Sequence, residues 1–416
     1  MTQAFTDFEI QKERVDFMPT REAGLDRLER FVTRTGNYYA RTRNFDFGND
    51  RRSNVSALSP WLRHRLITEE EVLTRVLARH NAADADKFIQ EVFWRGYFKG
   101  WLEQRPSVWI SYQRDLVSAI ESLERDTAEN ARYRDAIDGN TGIDCFDHWA
   151  RELVATGYLH NHARMWMASI WVFTLRLPWQ LGADFFMRHL LDGDPASNTL
   201  SWRWVAGLHT RGKTYLARPD NIAKYTEGRF QPKGLAKTAE ALVEAIDHPR
   251  VAIREPERKT FENSILLLTE DDLSGAELMP SAPVAAIGLL ANHGRSPGPL
   301  SKMTQSFSHG AMEDALLPFG SKPETGNDWG ELLLNAAERS GVRVITTAYC
   351  PTGPSRARLD RAVPKLQSAG VTLQRIMRPY DRLTWPHAKA GFFGLKKKIP
   401  SILQNLNLPH DSGGIS

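Results

Sequence analysis

Three short stretches of the chain concentrate side chains suited to holding a ligand. Glu91, Trp94 and Arg95 share one predicted helix, Asn161, Arg164 and Met165 share another, and Asp192-Gly193-Asp194 leads to Asn198 within LLDGDPASNTLSWRW. Carboxylates, guanidinium groups and an amide set among aromatics need partners once buried, either one another or a polar ligand. Glu91 and Arg95 are one helical turn apart and suit an i,i+4 ion pair. Arg164, beside Met165 and the apolar MASIWVF stretch, is harder to assign to a surface pair. Two acids flanking a glycine suit a turn whose carboxylates face a polar group. No GxxxxGK[ST], HExxH or GxSxG motif is present, so P-loop, zincin and α/β-hydrolase chemistry lack their key residues. Cys145 and Cys350 are the only cysteines, which excludes a disulfide framework and a four-thiolate metal centre.

These residues must be positioned by a chain of 416 residues, long enough for two or three domains. Hydrophobic residues at 41% and charged residues at 25% fit a globular protein, and no apolar run reaches the roughly 20 residues of a membrane span. The N-terminus is charged and lacks an apolar core, so no secretory leader is read and a cytoplasmic location is expected. Ten of the twelve tryptophans lie between positions 61 and 204, where ITEEEVLTRVLARH, DADKFIQEVFWRGYFKGWLEQR, FDHWARELVATGY and NHARMWMASIWVFTL each show helical spacing. GLAKTAEALVEAID is predicted to close this region with one more amphipathic helix. After about position 262 the pattern changes: SILLLTE, PVAAIGLLA, VRVITTAYC and VTLQRIM read as strands, separated by the helical DWGELLLNAAERS and ARLDRAVPKLQSAG. RSPGPLSKMTQSFSHG reads as a long loop. The predicted organisation is therefore multidomain α and α/β: an all-helical domain over 1–250, a linker over 251–261, and a smaller α/β domain with a mostly parallel sheet over 262–416. Charge is unevenly spread, since residues 259–338 carry 4 Lys/Arg against 11 Asp/Glu and residues 339–398 carry 13 against 2. The basic stretch suits either a phosphate backbone or a solvated face.

Five blocks in fixed order are more specific: YARTRN (39–44), SALSPWL (56–62), QEVFWRGYF (90–98), TGIDCFDHWARELVATGYLHNHARM (141–165) and LDGDPASNTLSWRW (191–204). Through them the chain resembles the DNA photolyase/cryptochrome family. The resemblance implies that the helical domain binds FAD in a folded form. By position, Tyr39, Ser56, Leu58 and Ser59 would line the pyrophosphate and ribityl side, and Arg95 and Arg164 would lie along the cofactor. Asp192 would pair with Arg164 near the flavin ring, Asp194 would face the ribityl or ribose hydroxyls, and Asn198 would sit beside flavin N5. An amide there is more like a photolyase than like the plant or insect photoreceptors. The substrate side would comprise Glu91, Trp94, Asn161, Met165 and Trp204, receiving a pyrimidine dimer flipped out of DNA. Trp202 and Trp179 match the inner and middle tryptophans that reduce the photoexcited flavin.

The chain also departs from the family pattern. Val55 stands where a threonine is common, His162 where cyclobutane-dimer enzymes have an arginine, and ERDTAEN where the outer tryptophan is expected, with Tyr133, Trp171 or Trp166 as substitutes. The family's α/β antenna-type domain precedes its helical domain, whereas here an α/β region follows, as a permuted, shortened antenna-like domain or an unrelated module. No second chromophore is required by the sequence. The implied function is FAD-dependent, blue-light-driven repair of cyclobutane pyrimidine dimers in DNA; the alternative is a flavin photoreceptor that signals without repair.

Overall fold

The computed structural model describes residues 10–257 and 262–408. Its first part is a helical bundle: α1 (Arg21–Val32), α2 (Asn37–Thr42), α3 (Ser59–Arg63), α4 (Glu69–Arg79), α5 (Asp86–Glu103), α6 (Ser107–Arg125), α7 (Thr127–Asp138), α8 (Asp144–Thr156), α9 (Asn161–Ser169), α10 (Trp179–His189), α11 (Pro195–Val205) and α12 (Pro219–Tyr225). A π-helical turn, Ile170–Thr174, extends α9. Sequence explains several boundaries. Thr68 and Glu71 form a reciprocal capping box at α4, Asp194 caps α11 ahead of Pro195, and Gly139 and Gly157 close α7 and α8 in the left-handed conformation.

The second part is a five-stranded sheet with all pairings parallel, in the order β3-β2-β1-β4-β5. Its strands are β1 (Ile265–Thr269), β2 (Ala285–Leu289), β3 (Pro323–Glu324), β4 (Val344–Ala348) and β5 (Thr372–Ile376). Helices α13 (Lys302–Leu316), α14 (Trp329–Ser340) and α15 (Pro354–Ser368) make the crossovers. The two-residue β3 carries too little alternation to be visible in sequence.

Two expectations fail here. GLAKTAEALVEAID is not helical: Leu242 N donates to the Ala206 carbonyl, Thr214 Oγ1 donates to the Ala239 carbonyl, and Glu244 accepts a fork from Arg203 at 2.7 Å. Those contacts lay the segment beside α11 with Leu235 buried but leave Leu242, Val243 and Ile246 exposed, so most of its apolar periodicity finds nothing to bury against. RSPGPLSKMTQSFSHG is only half a loop, because Ser301 accepts a hydrogen bond from Thr304 N and starts the 15-residue α13. The expected linker, 251–261, has no regular secondary structure over 251–257 and continues into residues outside those described.

After β5 the chain returns to the helical bundle. Helices α16 (Pro379–Thr384), α17 (Phe392–Lys396) and α18 (Ile399–Asn405) follow, and α16 and α17 pack on α5. The approach is close enough that a Cβ on Gly100 would lie 2.6 Å from the Trp385 Cα, so glycine is required there.

The two parts are locked by buried charge at the carboxyl ends of β1 and β4, where the strand order reverses. Asp271 pairs with Arg63 at 2.8 Å, the Glu270 carbonyl accepts from His64 Nδ1 at 2.9 Å, and Asp272 holds Arg378 at 2.6 and 2.8 Å. Arg65 reaches Glu69, Asp272 and Asp381 at 3.1, 3.3 and 2.6 Å. Its φ of +48° is the left-handed region, unusual for an arginine, and the three carboxylates hold it there. Such a crevice is where open α/β sheets place ligands; here arginines from the helical part fill it.

Candidate functional site

Helix α11 packs against both α5 and α9, which carry Glu91, Trp94, Arg95, Asn161, Arg164, Met165, Asn198, Trp202 and Trp204, while Tyr39 lies on α2, Ser59 opens α3 and Trp179 opens α10. Arg164 of α9 forks onto Asp192 at 3.0 and 2.9 Å and lies 5.3 Å from the Tyr158 ring centroid. This charge-assisted pair fixes both groups, yet the Arg164 side chain keeps 24% of its surface accessible. Asp194, 2% exposed, accepts from Ser197 N and lies 3.9 Å from Lys99 and 3.8 Å from Arg63. Burial alone would raise its pKa; the nearby Lys99, Arg63 and Arg95 charges outweigh it and hold the carboxyl well below the usual range. Asn198 donates from Nδ2 to the Ala183 carbonyl at 2.8 Å, which sets its amide orientation.

Glu91 and Arg95 do not form the i,i+4 pair. Glu91 pairs with Arg43 instead, and Arg95 Nε lies 3.9 Å from Glu69. Neighbours from other elements stand in place of the local partner. Burial raises the Glu91 pKa against the pull of Arg43, which favours its acid form. Tyr39 is buried in this corner and Arg43 lies 5.9 Å from its ring. Ala57 has a φ of +52°, turning the chain between half-buried Ser56 and Ser59. The Ser56 carbonyl accepts from Arg27 Nε, Leu58 is buried, and Ser59–Arg63 makes only a short helix.

Eight of the ten clustered tryptophans are buried core: Trp61, Trp101, Trp109, Trp149, Trp166, Trp171, Trp179 and Trp202. Trp94 and Trp204 alone of the ten stay partly exposed, as do Glu91 and Met165, while Asn161 is exposed. Trp204 stacks on Tyr215 at 5.5 Å. Trp94 has one face covered by Phe392 of α17, with centroids 3.9 Å apart and planes 11° apart. Trp202 meets Trp171 at 6.1 Å, whereas Trp179 meets Tyr112 at 5.5 Å. A Cβ on Gly182 would lie 2.3 Å from the Trp202 ring, so glycine permits this indole its place. His162 is held by the Asn44 carbonyl at 2.6 Å and stacks on Trp166, and His160 Nε2 donates to the Arg43 carbonyl.

Whether these residues suit a flavin dinucleotide is testable on polar satisfaction. Arg95 Nε, Lys99 Nζ, Ser197 Oγ and Trp202 Nε1 are buried on the facing helices α5 and α11 without a hydrogen-bond partner. Four orphaned groups capable of donation, two of them cationic, fit a ligand rich in anionic and carbonyl oxygens. Lys99, Arg63, Arg65 and Phe392 escaped sequence reading. Lys99 and Arg63 sit at helix positions whose burial periodicity does not mark, and Phe392 comes from across the chain.

The sequence over residues 88–248 matches the family model for the FAD binding domain of DNA photolyase. Over these residues the chain is similar to the FAD binding domain of DNA photolyase. It is 29% identical over 187 residues to a deoxyribodipyrimidine photo-lyase of Vibrio cholerae, covering 44% of this chain and 39% of the relative. It is 36% identical over 137 residues to one of Thermus thermophilus, covering 33% and 32%. A solved bacterial class III photolyase from Agrobacterium tumefaciens aligns over 50% of this chain and 43% of that one, at 26% identity and a TM-score of 0.40. The chain spans about two fifths of the length of the first curated relatives it matches. Among the described residues no helix is long and apolar enough to cross a membrane, and no three His, Cys, Asp or Glu side chains group as a metal site.

Proposed function

We propose that the chain is a cytoplasmic FAD-dependent photolyase that repairs cyclobutane pyrimidine dimers in DNA under blue light. The observation that carries this is the selective exposure of Trp94 and Trp204 among ten clustered indoles, beside Glu91 and Met165. Core packing would bury them like the other eight. Partly exposed, they offer stacking surface to extruded bases, Trp94 once Phe392 moves off its face.

When bound, reduced FAD would supply the photoexcited electron that opens the cyclobutane ring and receive it back. This chain's residues hold and orient. Arg164 and Asp192 form one fixed wall, Arg95 Nε and Lys99 Nζ are cationic donors without a hydrogen-bond partner that suit phosphate oxygens, and Asn198 presents an amide whose orientation is already set. Glu91, whose pKa burial raises against the pull of Arg43, stands where the resemblance puts a contact to the thymine carbonyls. Water exclusion comes from the buried indoles beneath.

One observation favours the alternative of a photoreceptor that signals without repair: Phe392 covers a face of Trp94. In the repair reading a dimer stacked on that face displaces Phe392. The experiment is illumination of FAD-loaded, chemically reduced protein with a dimer-containing oligonucleotide. Restored thymines establish repair; none, with FAD bound, establishes the photoreceptor. Protein that retains no FAD, while Asp192→Ala behaves identically, refutes both.

A further inference from the structure

We propose that Arg295 is a positioning residue of the cofactor site, supplied by the second, α/β part of the chain to hold the Asp192-Gly193-Asp194 loop by its central carbonyl. This rests on the reading of the site as a flavin pocket, in which both acids of that loop lie along the cofactor. Side chains and backbone of the loop have separate partners. Asp192 is forked by Arg164, and Asp194 caps α11. The Gly193 carbonyl between them accepts from Arg63 Nε and Arg295 Nη2, each at 3.0 Å. A Cβ on Gly193 would lie 2.2 Å from Arg295 Nη2, so this glycine makes room for a guanidinium.

Both guanidinium groups depend on the α/β part. Arg63, at the end of α3, donates to the Glu270 carbonyl at 3.1 Å and pairs with Asp271, just past β1. Arg295 follows β2 in the chain and is 1% exposed. Its hydrogen bonds go to backbone carbonyls of the helical part: Gly193 at 3.0 Å, with Met187 and Leu190 at 3.4 Å.

Stability does not account for this arginine. Its Nε and Nη1 are buried without a hydrogen-bond partner, and so is Nη2 of Arg63. Burial and the Arg63 charge push its pKa down to about 10, the direction of a cation held where charge is costly. An apolar side chain of similar length would avoid both costs. What such a side chain cannot do is hold the Gly193 carbonyl, and with it the placement of Asp192 and Asp194. Arg295 thus acts on the cofactor through the loop.

The test is FAD titration of the full chain by flavin fluorescence, with thermal melts of the FAD-free protein beside it. Arg295→Met is expected to melt no lower than the unmodified chain, yet to bind FAD about 10- to 150-fold more weakly, the range for one hydrogen bond from a charged donor. Arg295→Lys, which keeps a cationic donor, is expected to recover most of that loss. Arg378→Met removes the pair with Asp272 at the same seam and leaves the Gly193 loop alone, so it should melt lower and bind FAD normally. If Arg295→Met does not fold, Gly193→Ala carries the result, because its Cβ displaces the guanidinium and weaker FAD binding is expected. Unchanged affinity in folded Arg295→Met or in Gly193→Ala, or an equal loss in Arg378→Met, overturns the positioning role and leaves the flavin reading intact. Failure of the unmodified chain to bind FAD overturns both.

Discussion

Replacing Phe392 by alanine separates the role of Trp94 in DNA binding from its role in packing. Phe392 is 5% exposed, stacked on Trp94 at 3.9 Å and set edge-on to Tyr97 at 5.8 Å. An aromatic pair of this kind is worth about 0.5–1.5 kcal/mol beyond area burial. If a flipped dimer takes the same indole face, the unmodified protein forfeits that amount on binding, and Phe392→Ala does not. Damaged DNA should then bind about 2- to 12-fold more tightly to the variant, with undamaged DNA unchanged. Trp94→Ala should do the reverse, losing a stacking surface worth about 1–3 kcal/mol. The variant also loses a buried phenyl ring, so a fall in stability of up to about 3–5 kcal/mol is expected in urea. Fluorescence anisotropy with a dimer-containing oligonucleotide and its undamaged twin measures the first effect directly. Weaker binding of damaged DNA by folded Phe392→Ala would refute the competition and make Phe392 a support for the site.

The remaining predictions concern charge. Asp381→Asn leaves Arg65 without a bidentate partner in a buried network, so a loss of about 3–5 kcal/mol and separation of the two parts' unfolding transitions are expected in denaturant melts. Burial holds His160 at about 3 and His189 and His209 at about 4. Each is neutral when folded but protonates near 6.5 when unfolded, so their stabilisation is full above that pH. It falls as acid is added toward pH 4, by up to about 1.4 kcal/mol per pH unit per histidine. Thermal melts between pH 7 and 5 check the sign, and His160→Gln should flatten the slope. Changing Lys396, Lys397 and Lys398 to glutamine should weaken damaged and undamaged DNA alike and reduce the salt slope by up to about 3, measured by titration at several salt concentrations. Arg339, Arg356, Arg375, Arg378 and Arg382 of the same basic stretch are already paired with acids and should contribute less.

Features under local chemical control are legible in the sequence. Helical spacing marked α4, α5, α8 and α9, apolar runs marked β1, β2, β4 and β5, and the ordered blocks pointed to the region similar to the FAD binding domain of DNA photolyase. Only the tertiary structure decided partners. Glu91 and Arg95 have the spacing of an ion pair, yet Arg43 and Glu69 come from other elements and claim them. GLAKTAEALVEAID has helical periodicity, yet it is held irregularly against the end of α11 by hydrogen bonds to Arg203 and the Ala206 carbonyl, and helix propensity alone is too weak to compete. That Trp94 faces Phe392, that Trp202 meets Trp171, and that arginines fill the crevice beside β1 are long-range facts. Periodicity reports which face of an element is apolar; it carries no record of which distant residue will be brought against that face.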